Sequence, residues 1–353
     1  MVDINARKFQ ALVKYDGKDI SSDLEPYLKS ISYTDNMSGE ADDLQITLMD
    51  KDGLWQSSWL PEKGATLDVT FVLHNWDGSA GAVSSHVGLF EIDEITCQGN
   101  PSEVQIKAIS VPDDNNLRGS EHTRSWEKAE LKRIANDVAV GAGLELAYDM
   151  EYNPKIDRVE QTEESDLGFL LKLCKDHGLA LKICNKQVVV FDEADYEKAE
   201  PLYTIIKPYR GMTSSIGGAT ITAIQSWNLK SKIRDIYKAC HVKYQQGKTK
   251  QTLEATFKDP QKESGKVLEI NEQVDTIADA ERLAKKKLRE KNCDEFTGNF
   301  SILGNIGLLA AVNVTLSGYG RFDGKYIITR ATHSAGSGGY NTDIEVRRCL
   351  DGY

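Results

Sequence analysis

A chain of 353 residues with 43 Lys and Arg against 54 Asp and Glu has a net charge of −11, which argues against stable nucleic-acid binding through neutralised phosphates. Its 40% hydrophobic and 27% charged content is that of a soluble globular protein long enough for two or three cores. The opening "MVDINARKFQ" has no basic segment followed by an apolar one, and no run approaches the roughly 18 apolar residues of a membrane span, so neither secretion nor membrane insertion is expected. Six cysteines without CxxC spacing read as reduced thiols of a protein made in the cytosol.

From the start to about Ser110 the pattern is strand-like. "KFQALVKY" runs into the turn Asp16-Gly17, and "LKSISYT", "LQITLMD", "ATLDVTFVL", "GLFEIDEITC" and "EVQIKAIS" follow at turn spacing, a meander of the barrel or sandwich kind. The middle changes period. "SWEKAELKRIANDVAVGAG" places Leu131, Ile134, Ala135 and Val138 on one helical face, with Ser125 as cap and Gly141 or Gly143 as stop. "TEESDLGFLLKLCKDHG" does the same with Leu167, Leu170, Leu171 and Cys174, and "LALKI", "CNKQ", "VVVFD" read as a hairpin. Strands then return, interrupted by a helix over 276–290 capped by Thr276 with Asp279 three residues on. The expected fold class is α+β, mainly β: a first β domain over 1–111, an α+β insert with two helices and a hairpin over 112–205, and a second β domain over 206–353.

The chain contains an internal echo. "LDVTF" (Leu67–Phe71) matches "VNVTL" (Val312–Leu316), and Gly88, Phe90, Ile92 and Thr96 align with Gly324, Tyr326, Ile328 and Thr332. His333 then falls where the first copy has Cys97, which makes it a strand-end residue rather than a catalytic one.

Few residues point to chemistry. "SAGSGG" (Ser334–Gly339) lacks the Lys-Ser/Thr of a phosphate loop and opens no helix, so it reads as a hairpin turn. The histidines show no ligand spacing, and Cys240 and His241, adjacent on a strand, face opposite ways. "DKDG" (Asp50–Gly53) lacks the later ligands of a calcium loop, and Cys174 belongs to a helix's apolar stripe. No catalytic, cofactor-binding or metal-ligating residue is assigned, and no cofactor is expected. "RLAKKKLREK" (282–291) reads as a solvated helix face. Trp55 and Trp59 in "GLWQSSWLPEKG" are read as packing or subunit contact, with carbohydrate stacking as the alternative.

Three stretches carry a resemblance. "QTEESDLGFLLKLCKDHGLALKI" with "VVVFD" resembles the acid-Ser-Asp-x-x-Phe-Leu helix and hairpin of phage late control protein D and of type VI VgrG proteins. "GYGRFDGKYIITRATHSAGSGGYNTDIEVRR" resembles the end of that region, and "SYTDNMSGEADDLQITLMDKDGLWQSSWLPEKG" is similar to the N-terminal part of late control D proteins of Gram-positive phages and phage-tail-like bacteriocins. The resemblance implies a non-enzymatic baseplate hub of a contractile phage tail or bacteriocin particle, assembled in the bacterial cytoplasm. It implies a homotrimer with two related tube-type β-barrels per chain, joining the hexameric tail tube to a trimeric spike. Tail tube, spike, baseplate wedge and tape-measure proteins are the implied partners. Because no β-helical repeats follow the last strand, the spike is expected to be a separate protein. A tail-associated peptidoglycan hydrolase and a carbohydrate-binding tail module are the competing readings.

Overall fold

The computed structural model describes residues 6–76, 81–110, 117, 120–209, 219–245, 252–274 and 276–353. The first part of the chain forms β1 (Lys8–Tyr15), β2 (Lys18–Asp19), the short helix α1 (Ser21–Leu24), β3 (Leu28–Asn36), β4 (Asp43–Met49), β5 (Thr66–His74), β6 (Ala82–Gln98) and β7 (Glu103–Ile109). The middle forms β8 (Glu121–Glu130), α2 (Leu131–Gly141), β9 (Glu145–Asp149), β10 (Lys155–Ser165), α3 (Asp166–Asp176), β11 (Ala180–Cys184), β12 (Gln187–Phe191) and α4 (Glu193–Lys198). The remainder forms β13 (Tyr203–Ile206), β14 (Thr220–Ile221), β15 (Ile224–Ser231), β16 (Tyr237–Gln245), β17 (Thr252–Lys258), β18 (Lys266–Ile270), α5 (Ile277–Asn292), β19 (Phe296–Leu303), β20 (Asn313–Ser317), β21 (Gly324–Gly336) and β22 (Gly339–Arg348).

Both halves of the chain contribute to a single 14-stranded mixed sheet. One stretch runs β3-β4-β7-β6-β5-β1-β2, the other β15-β19-β22-β21-β20-β13-β14, and they join where β21 lies antiparallel to β3, from Arg330 opposite Asn36 to Gly336 opposite Ser30. The two tube-type barrels expected from the resemblance are therefore not present. The sheets are open and not strongly curled, and no described strand links β1 to β3 or β13 to β15. Alternation and turn spacing are the same in an open sheet and a barrel; closure depends on the end strands meeting, which those patterns do not encode.

The echo between the halves has a counterpart in the pairing. β6 and β7 shift register between Ile92 and Glu94, and β21 and β22 shift between Ile328 and Arg330. β3 and β4 shift between Leu28 and Ser30, and β15 and β19 between Ile224 and Ser226. Gly88 and Gly324, at φ 147° and 140°, both occupy backbone conformations that favour glycine. One detail differs from the sequence match. Phe90 faces Leu67 while Tyr326 faces Val314, so the flanking strand is displaced by two residues, which keeps the same faces inward. The next strand out also differs, since β1 is antiparallel to β5 but β13 is parallel to β20.

Each part has its own core. Val13, Ile31, Ile46, Leu67, Phe71 and Ile106 centre the first, and Ile302, Val314, Leu316, Tyr326, Ile328 and Ile344 the second. The hairpin tip between β21 and β22 crosses from one to the other: Ala335 and Tyr340 are buried in the first core, with Tyr340 5.1 Å from Phe9 and 5.4 Å from Trp76.

The insert differs from the sequence expectation at its first helix. Residues 121–130 pair with β10 as an exposed two-stranded ribbon, and α2 begins only at Leu131 with Glu130 as its extended cap. "EHTRSWEKAE" alternates in burial, and Trp126 stacks on Phe169 at 5.2 Å, so cross-strand packing overrides the local helical pattern. α3 is capped by Ser165, which accepts from the Gly168 amide, and buries Asp166, Phe169, Leu170, Leu173 and Cys174, a stripe one position away from the one expected. The hairpin of β11 and β12 turns through Asn185 and Lys186, both at positive φ, and β9 adds parallel to β12.

A further departure is the segment between β15 and β19. β16, β17 and β18 form a separate three-stranded sheet beneath α5, with its own core of Cys240, Val242, Leu253, Ala280, Ala284 and Leu288. Where the first half crosses from β3 to β4 by a short loop, the second carries this whole module.

Candidate assembly interface

The residues weighed for chemistry from the sequence have structural surroundings. His333 is 2% exposed; its Nδ1 lies 2.7 Å from the Tyr340 hydroxyl and its Nε2 3.1 Å from the Leu308 carbonyl. Burial pushes its pKa down to about 4, so it is a neutral donor and acceptor, and it lies inside β21, paired with both β22 and β3, rather than at a strand end as the echo suggests. Gly336 and Gly339 flank a two-residue hairpin turn. Asp50 is buried, its carboxylate accepting from the Trp55 and Gln56 amides, which makes "DKDG" a capped turn. Cys240 lies in a core while His241 meets Thr256 Oγ1 at 2.8 Å on the other face. Burial raises the Cys174 thiol to about 12. Trp55 is buried, and Trp59 meets it and Tyr27 edge-on at 5.5 and 5.9 Å, so the pair offers no flat double platform for a sugar. Among the described residues, no three His, Cys, Asp or Glu side chains group as metal ligands, and no helix is long and apolar enough to cross a membrane.

What the geometry does build is a set of ionic welds between parts. Lys182 of β11 reaches Asp35 of β3, Asp42 at 3.1 Å and the Asn36 carbonyl at 2.8 Å. Asp42 also accepts from the Asn36 amide at 2.8 Å, and Asp35 from the Ala310 amide at 2.9 Å. Burial raises Asp42 to about 6, against the pull of Lys182. On the other side of the insert, Glu197 of α4 takes two bonds from Arg289 of α5, at 2.5 and 3.2 Å, and a third from Arg347 of β22, while Arg347 also holds Glu193 at 2.7 Å. Burial alone would raise Glu197, but Arg347 and Arg289 outweigh it and hold the carboxyl below its ordinary range. Desolvation offsets much of the attraction in buried ion networks of this kind, but removing one partner would leave an uncompensated buried charge.

Among the strand edges left without a partner in the described residues, two are related by the repeat. β15 pairs only with β19, and residues 94–98 of β6 pair only with β7. The repeat relates both to the joint inside the chain: β15 corresponds to β3, with Ser226 at the place of Ser30, and 94–98 of β6 corresponds to 330–334 of β21. Burial follows this difference. Ile31 on the paired strand is 1% exposed, while its counterpart Trp227 on the free edge is 42% exposed. His333 is buried at the joint, and its counterpart Cys97 is exposed. The sequence echo in the final hairpins does not reach these edges. The upstream match of "LKSISYT" to "IQSWNLK" is hidden by the unequal segments that follow each.

The profile of a family described as "Phage tail baseplate hub (GPD)" matches residues 42–339. The chain is 33% identical over 171 residues to a probable baseplate hub protein of Escherichia phage P2, a match that spans 47% of this chain and 41% of that relative. Among solved structures it is similar to a tail protein from Neisseria meningitidis MC58, with TM-score 0.71, 14% identity and 96% of each chain covered. It is also similar to the 43 kDa tail protein of prophage MuSo2 from Shewanella oneidensis, with TM-score 0.69, 16% identity, and 98% of this chain and 100% of that one covered. At these identities the structural likenesses concern the fold.

Proposed function

The chain belongs to the phage tail baseplate hub (GPD) family, and from that premise we propose that it is a structural adaptor. In this reading three copies form a ring between the hexameric tail tube and a trimeric spike, with wedge proteins at its periphery and no catalysis of its own. Residues 1–111 and 206–353 contribute the ring, and 112–205 lie beside it.

One observation carries the reading. Two of the unpartnered edges are the repeat-equivalents of the two strands that pair inside the chain. If β15 of one copy receives residues 94–98 of the next as β3 receives 330–334, each half meets the other kind of half on both sides. Three chains then present six related sheets, which reconciles a threefold hub with a sixfold tube, and the closed ring covers both of these strand edges. Extending the internal register places Thr96 opposite Lys230 and Glu94 opposite Lys232, an opposite-charge pair.

Native mass spectrometry of the purified protein tests the stoichiometry. A three-chain species is expected; a single chain or an even-numbered assembly contradicts the ring. A peptidoglycan zymogram addresses the hydrolase alternative, and a cleared band would end the scaffold reading.

A further inference from the structure

The run at 282–291 lines a cleft as well as facing solvent. The cleft, about 430 Å³, lies where the C-terminal end of α3 and the start of α4 approach α5, and so between the insert and the β16–β18 module. Its acidic residues are engaged: Glu290 with Lys175 at 3.6 Å, Glu193 with Arg347 at 2.7 Å, and Asp192 with the Ala194 amide at 2.8 Å. Three of its cations have no carboxylate within ion-pair distance among the described residues. Arg282 stacks over Tyr152 at 4.0 Å, Lys285 lies over Phe257 at 5.8 Å, and Lys286 rests its stem on Gly178. A Cβ at Gly178 would come within 3.1 Å of Lys286 Cγ and Cδ, so the glycine lets this side chain lie down into the cleft.

We propose that this cleft is a docking site for a short carboxylate-rich segment of a partner protein. A chain with 54 acids and 43 bases has here gathered three unneutralised cations on one turn of helix, in a recess of side-chain size. Their positions also favour a peptide over a nucleic acid. Glu290 and Glu193 line the same cleft beside the cations, carboxylates that a continuous phosphate backbone would have to cross but that separate carboxylate groups could avoid. Lys286 is where binding has most to change. Burial and neighbouring Lys287 lower its pKa to about 8, with Asp176, Glu290 and Glu272 opposing and Arg282 and His177 close by. An entering carboxylate restores its full charge, so affinity falls as pH rises through 8.

The site does not depend on the ring and is tested separately from it. Fluorescence anisotropy of a labelled hexaglutamate peptide on the full chain reads the binding, with a labelled single-stranded DNA oligonucleotide alongside. Arg282→Glu with Lys286→Met, which keeps the stem on Gly178, is expected to weaken peptide binding at least tenfold while the melting curve is retained. Lys291→Glu, on the exposed end of the same helix, leaves binding within twofold. Loss of binding between pH 7 and 9 in the wild type, and its absence in the double variant, supports the assignment of Lys286. Equal binding by the double variant, an equal loss with Lys291→Glu, or tighter binding of the oligonucleotide than of the peptide overturns the proposal.

Discussion

At the scale of single residues the buried polar groups set what can be measured. His333 is held near a pKa of 4 by burial, below its ordinary 6.5. The unfolded chain takes up its proton first as pH falls, so this group's contribution to stability is full above 6.5 and lost on acidification. Asp42 acts in the opposite sense. Burial raises it from 3.8 to about 6, so the folded state holds the proton that the unfolded state releases, and stability falls as pH rises across that window. The two slopes oppose each other in the wild type. Asp42→Asn, which keeps an acceptor for the Asn36 amide, should expose the histidine's slope, up to about 1.4 kcal/mol per pH unit below 6.5, in urea titrations at stepped pH. His333→Phe should leave the opposite slope of Asp42 there and cost about 1–3 kcal/mol at neutral pH, because it strands the Leu308 carbonyl and leaves the Tyr340 hydroxyl with Thr342 alone. Gly304 is a packing counterpart. A Cβ there would lie 2.0 Å from the Tyr340 ring, so Gly304→Ala should destabilise by about 1–3 kcal/mol, read as a lowered melting temperature.

At the scale of elements, local signals held where a side chain caps or a turn demands a conformation. Thr276 accepts from the Asp279 amide at 3.1 Å and donates to its carboxylate at 2.6 Å, and Thr276→Ala should lower stability by about 1 kcal/mol in urea unfolding. The turns at Asp16-Gly17 and Asn185-Lys186 adopt the positive φ that hairpins of this length require. Local signals failed where long-range pairing decides. "EHTRSWEKAE" has the composition of a helix start, but its partner β10 makes it a strand. The segment 233–270 has the same alternation as the main sheet, yet α5 gathers those strands into a module of their own. The free edge of β15 was equally invisible, because a strand's sequence records which face is buried and says nothing of which edge is paired. An edge that binds another copy should tolerate a charge as a monomer and lose its partner. Trp227→Glu is expected to shift the three-chain species at least tenfold toward single chains, while changing the unfolding free energy of the single chain by about 1 kcal/mol or less.

At the scale of the whole molecule, the repeat matters more than the outline of either half. The expectation of two closed barrels was wrong. The relation between the halves is carried by shared strand order and by register shifts at matching places, in one open sheet that runs through both. The sheet has two repeat-related free edges, and in the proposed ring these are the edges through which copies would join. The welds at Lys182 and Glu197 tie the insert to both halves, so the insert, the α5 module and the sheet would enter such an assembly as one piece. The most direct test is a cross-link at the inferred register. In a Cys97→Ser background, Thr96→Cys combined with Lys230→Cys should give, on mild oxidation, covalent products that stop at three chains, whereas Thr96→Cys with Gln225→Cys should not. Absence of the first cross-link under conditions where three-chain species are present, or a ladder that continues past three, would contradict the joining of β15 to β6.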